Sequence, residues 1–127
     1  MTYRFNPLEG HVLVIATLWG LLGRIELPLA LDTGAVGSVP SWQTAVLLGY
    51  DPASIPHRSH VVSATGEAWV PRLSLARLTA LGQECRDFPV LWHTLPASCG
   101  LDGVLGLDSL RGRKVTLDFR EGLISLD

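Results

Sequence analysis

Asp32 opens the run Asp32-Thr33-Gly34-Ala35, directly behind an apolar, strand-like segment that ends at Leu31. A carboxylate placed there leaves a sheet edge in a tight turn, where it can exchange a proton with a bound molecule. Gly34 has no Cβ and lets the backbone approach a ligand closely. Asp, Thr and Gly are also ordinary turn formers, so the tripeptide by itself reads first as a plain turn. A phosphoaspartate site would want a second acidic residue two positions on, where Gly34 stands.

The other reactive side chains offer less. His57 and His60 could be suspected as metal ligands, but nothing nearby adds a third at a helical spacing. They read as loop or hairpin-base histidines, and His11 and His93 as strand residues. Cys99 follows Pro96-Ala97-Ser98 without a local base, which a cysteine nucleophile would need. Ser38 lacks the G-x-S-x-G setting of a hydrolase elbow. Trp69 and Trp92 read as core or interface aromatics, with a substrate pocket as the alternative. No metal or other cofactor is expected.

The segments that must hold Asp32 alternate with period two. In Arg24–Leu31, the residues Ile25, Leu27, Leu29 and Leu31 face one way, which marks a half-buried strand; Pro28 marks an edge or a bulge. His11–Leu18 precedes it, and Trp19-Gly20 with Gly23 supplies a turn, so the two form a hairpin. Ser41–Leu48 reads as a short helix capped by Ser41 and closed by Gly49. His60–Ser63 and Glu67–Val70 flank Ala64-Thr65-Gly66 as a second hairpin. Arg72–Leu78 and Arg86–Trp92 are further strands. Val115–Phe119 and Leu123–Leu126 flank Arg120-Glu121-Gly122 as a third hairpin, with glycine where a positive φ is needed. Many short strands and little helix predict an all-β barrel or sandwich.

Leu101-Asp102-Gly103-Val104-Leu105-Gly106-Leu107-Asp108-Ser109-Leu110 adds two apolar residues, a glycine and a short helix before the last hairpin. The full order is an apolar strand, Asp-Thr-Gly-Ala, a hairpin, an apolar-apolar-Gly strand, a short helix and a terminal strand. From about His11 onward this resembles the retropepsin family, the single-domain, retroviral-type aspartic proteases. The resemblance implies a closed β-barrel subunit with one or two short helices and an active site on a two-fold dimer axis. It implies an aspartic endopeptidase with Asp32 as the catalytic carboxylate. Thr33 would bond across the axis, and Gly34 and Ala35 would line the cleft. Ala64, Thr65, Gly66 and Glu67 would form the tip of a substrate-covering flap, and Val104, Leu105 and Gly106 would back the catalytic loop. Viral members commonly pair an Asp after the Ala with an Arg after the late Gly; here those positions are Val36 and Leu107, both apolar.

Hydrolysis of a peptide by water needs one group to take a proton from water and another to give one to the carbonyl oxygen. Two carboxylates that share a proton do both, the arrangement known for aspartic proteases. The chain has one Asp-Thr-Gly, since Asp102, Asp108 and Asp118 stand in other contexts. The second carboxylate must come from another copy of Asp32, which a homodimer supplies. Dimer contacts are expected from Thr33 and from a free edge of the terminal strand Leu123–Leu126. The rival reading is a catalytically silent, dimeric peptide-binding or scaffold barrel of the same fold.

The chain's 127 residues fit one domain, 1–127. A net charge of −2 gives no footprint for nucleic acid or an anionic membrane. The longest uncharged stretch, Gly10–Gly23, is shorter than the ~20 residues of a spanning helix. The N-terminus has no basic-then-apolar signal pattern. Cys85 and Cys99 are too few for a disulfide framework and read as reduced thiols of a cytoplasmic protein. The expected partners are a second copy and a peptide or protein substrate.

Overall fold

The computed structural model describes residues 1–63, 66–93 and 100–127. Its ten strands are β1 (Thr2–Arg4), β2 (Leu13–Gly20), β3 (Gly23–Leu31), β4 (Val39–Pro40), β5 (Arg58–Ser63), β6 (Gly66–Ala80), β7 (Gln83–Leu91), β8 (Gly103–Leu105), β9 (Val115–Asp118) and β10 (Leu123–Leu126). Among the described residues one helix, α1 (Trp42–Leu47), follows β4, and single 3-10 turns lie at Pro52–Ser54 and Leu107–Ser109.

The three expected hairpins form. β2 and β3 pair antiparallel from Leu13↔Ala30 to Gly20↔Gly23. Leu31 N–H donates to Val12 O at 2.8 Å, so the alternation of antiparallel pairs makes Ile15↔Pro28 a non-hydrogen-bonded pair. The donor that Pro28 lacks would therefore face away from β2. On that side β8 reaches only Ala30 and Leu31, so the proline interrupts no ladder. Ser41 caps α1 by accepting from Thr44 N–H at 3.2 Å, and Gly49 with φ +94° ends it. Gly122 takes φ +71° in the β9–β10 turn, as its position required.

Three expectations are corrected. The predicted strands Glu67–Val70 and Arg72–Leu78 are one strand, the 15-residue β6. It pairs with β5 from Gly66 to Pro71 and with β7 from Arg72 to Ala80. Its outer half thus projects with β5 as a hairpin arm, while its inner half belongs to the core sheet and also pairs with β2.

The barrel is not closed. The strands divide into a three-stranded sheet, β1-β10-β9, and a seven-stranded sheet in the order β4-β8-β3-β2-β6-β5, with β7 on β6. Between β7 and β4 there is no ladder; two backbone bonds, Leu91 N–H to Ser38 O and His93 N–H to Pro40 O, span that gap. β4 has only two residues and β6 leaves the sheet to build the arm, so neither can complete a continuous circuit.

The terminal strand also differs from expectation. β10 is enclosed by β1 on one side and β9 on the other, so it offers no free edge. The outer edges of that sheet belong to β1 and β9. The inner faces of both sheets and α1 share one core, in which Leu18, Leu29, Leu75, Leu105 and Trp92 are fully buried.

Candidate active site

Asp32 sits where β3 stops. Its N–H donates to Leu105 O at 2.9 Å, which extends the parallel β3–β8 pairing by one bond and fixes where the carboxylate leaves the sheet. Beyond it the chain turns at once, with Ala35 N–H on Asp32 O at 3.2 Å and Gly34 N–H on Asp32 Oδ1 at 2.8 Å. The side chain is thereby aimed by its own loop, an Asx-type turn. Thr33 is exposed, and among the described residues its hydroxyl makes no bond within the chain.

A second layer braces this loop. Leu107 N–H donates to Ala35 O at 2.8 Å and Asp108 N–H to Val36 O at 3.1 Å. The Asp108 carboxylate accepts twice from Ser38, from the backbone N–H at 3.0 Å and the hydroxyl at 2.7 Å. Ser38 Oγ in turn accepts Gly106 N–H at 3.0 Å. A Cβ on Gly106 would lie 2.6 Å from Gly37 O and 2.7 Å from Ala35 O, so only glycine fits. The apolar residues Val36 and Leu107 are not bonded to each other: each makes its backbone bond to the other's neighbour, Asp108 and Ala35. Val36 is 74% exposed, free of any packing role in the core.

Asp32 lines a cleft of about 420 Å³ with Val39, Val104, Leu91 and His93, under Val61, Gly66, Glu67, Ala68 and Val70 of the β5–β6 arm. A second hollow of about 610 Å³ continues beside it, over Gly34–Val39 and beneath His60–Val62. Of the expected flap residues, Gly66 and Glu67 border the cleft; Ala64 and Thr65 lie outside the described residues, as does Cys99. Val104 lines the cleft, while Leu105 and Gly106 stand behind the loop as buried support.

The remaining candidates take structural places. His60 pairs with Glu67 at 3.3 Å and lies against the Trp69 ring, centroids 5.1 Å apart. Trp69 is 67% exposed and Trp92 is fully buried against Tyr50, so neither lines the cleft. No group of three His, Cys, Asp or Glu among the described residues could hold a metal ion. Among the described residues, no helix is long and apolar enough to cross a membrane. Sequence reading missed Ser38, Asp108 and the cleft-lining His93. Ser38 and Asp108 are 70 positions apart, and no local pattern announces their pairing.

No family model and no curated protein matches the sequence. Solved structures do. A retropepsin-like aspartic protease from Rickettsia conorii superposes with a TM-score of 0.71 at 19% identity, covering 100% of this chain and 97% of that one. The EIAV protease in complex with the inhibitor HBY-793 gives a TM-score of 0.62 at 20% identity, covering 91% of this chain and 100% of that one. The chain has the retropepsin-like fold. The relationship is carried by structure, not by sequence.

Proposed function

We propose that the chain is one subunit of a homodimeric aspartic endopeptidase in which Asp32 of each copy activates a water for peptide-bond hydrolysis. The observation that carries this reading is the position of Asp32: its backbone N–H is held by Leu105 O and its carboxylate accepts from Gly34 N–H, at the floor of a cleft roofed by a hairpin arm. A turn carboxylate with only a structural task has no need of that cleft.

One Asp32 can take or give a proton, and hydrolysis needs both. Two carboxylates about 4 Å apart at an effective dielectric of ~20 repel by roughly 4 kcal/mol when both ionise. One therefore stays protonated beside its ionised partner, and the pair titrates as a unit. Thr33 is exposed and its hydroxyl makes no bond among the described residues, which leaves it available to a second copy across the proposed axis. The braced loop keeps the carboxylates from relaxing apart, which supplies the preorganisation that charge-based catalysis requires.

Cleavage mapping on a peptide mixture, with Asp32→Asn protein alongside, tests the proposal. Cleavage present in the first and absent in the second supports it. Peptide binding without cleavage would turn the reading to a scaffold of the same fold.

A further inference from the structure

The second hollow differs from the cleft beside Asp32 in its charge. Its apolar walls are Val36, Val39, Val61, Val62, Val90 and Leu91, and among the described residues that line it there is no Asp or Glu. The basic side chains on its border are His60 and Arg72. His60 is engaged by Glu67, whereas Arg72 makes no ion pair among the described residues. Arg72 lies directly opposite Leu91 in the β6–β7 ladder, so the two share a sheet face, and Leu91 borders both the cleft and the hollow. The backbone there is pinned: Arg72 N–H donates to His57 O at 2.9 Å, and Pro71 O accepts from Trp92 N–H at 3.0 Å. Arg72 is exposed, and it carries a permanent, fork-shaped cation on a pinned stretch of backbone at the border of an apolar hollow that has no carboxylate among the described residues.

We infer that Arg72 selects substrates bearing a carboxylate side chain at the position that fills this hollow; the inference rests on the protease reading above. An extended peptide crossing Asp32 would run on into the hollow, because the two spaces share Val39, Val61 and Leu91. The valines would take the aliphatic stem of a glutamate, and the guanidinium would take its carboxylate in a bidentate pair. A two-fold dimer presents Arg72 twice, at equal distances on either side of the cleaved bond. The acidic preference should therefore appear at one position before the bond and at its mirror position after it.

The test is a cleavable peptide scanned with Glu, Gln and Lys at each position, read as kcat/KM. Glu should exceed Gln by about three- to tenfold at the two mirror positions and exceed Lys by more. The ratio should shrink toward one as salt rises from 50 to 500 mM. Arg72→Gln should erase the difference, and Arg72→Glu should make Lys the preferred residue. An acidic C-terminus would betray itself as a preference that follows the free carboxylate and vanishes on amidation, and it would overturn the side-chain assignment. Asp32-dependent cleavage that ignores charge at every position, or a Glu preference surviving in Arg72→Glu, overturns the inference and leaves the protease reading standing. If the wild-type chain cleaves nothing, calorimetry with the same Glu and Gln peptides decides. Tighter binding of Glu through Arg72 keeps the inference and sinks the protease; equal binding sinks both.

Discussion

Ser38 and Asp108 hold one another at 2.7 Å between hydroxyl and carboxylate, and the same hydroxyl takes the N–H of Gly106. Ser38 is fully buried, so water competes little for the two bonds of its hydroxyl. The contact ties the segment after the Asp32 loop to the segment after β8, the two stretches that must stay in register for Asp32 to point into the cleft.

Breaking this contact should be costly. Asp108→Ala strands the Ser38 N–H and hydroxyl and is expected to lower unfolding free energy by about 1–3 kcal/mol, measured by urea denaturation. Asp108→Asn keeps an accepting oxygen and should lose less. Equal stability of Asp108→Ala and wild type would show the contact to be idle.

Asp32→Asn should abolish cleavage and leave the melting temperature near wild type. The asparagine oxygen still accepts from Gly34 N–H, so the loop keeps its shape. Purified variant protein that retains wild-type kcat would place the chemistry on another residue.

Cleavage should rise with the square of protein concentration below the dimer dissociation constant and linearly above it, because each chain carries one Asp32. Thr33→Val should move that crossover to higher concentration, since the partner group across the axis loses its bond. Excess Asp32→Asn chain should poison wild type through heterodimers with one carboxylate. Sedimentation showing an active monomer, with rates linear throughout, would rule this out.

The pH profile of kcat/KM should be bell-shaped with its maximum on the acidic side of neutral. Both limbs report the shared proton, the acid limb where the second carboxyl is protonated and the alkaline limb where the first is lost. A rate that climbs steadily to pH 9 would require another base.

Cys85 should alkylate slowly in the folded protein. Burial, and then the nearby Asp108 charge, raise its thiol pKa, so less thiolate is present at pH 8. The sign for stability follows: the contribution is full below the unfolded thiol's pKa and is lost as pH rises through the folded one. Mass spectrometry after iodoacetamide should show the Cys85 peptide modified several-fold faster in urea than in buffer. Equal rates would place the thiol in open solvent.

What the sequence disclosed was local. The Asp32 turn, the Ser41 cap and the Gly122 turn each depend on residues within a few positions, and all formed where expected. Pairings across long separations were not legible. Nothing near Pro71 signals that β6 runs through it, because the signal lies in which partner waits on each side, β5 and then β7. β4, two residues long, forms by pairing with β8 and carries no pattern of its own. The enclosure of β10 by β1 likewise depends on a segment more than a hundred positions away. The cleft itself was foreseen only through the family resemblance, since it is built by strands that the chain reaches in no particular order.

The continuity of β6 restricts how the arm can change length over evolution. Ala68 and Val70 border the cleft while Trp69 between them is exposed, and the same strand continues inward to the buried Leu75 and Leu78. One residue inserted between Val70 and Arg72 would turn the whole arm over relative to the core, carrying Trp69 to the cleft and the two small residues to the surface. Two residues would restore the faces. Unless a bulge absorbs the odd residue, insertions and deletions in this stretch are tolerated in pairs, so arms of related chains should differ by even numbers between the cleft and the pinned segment at Arg72.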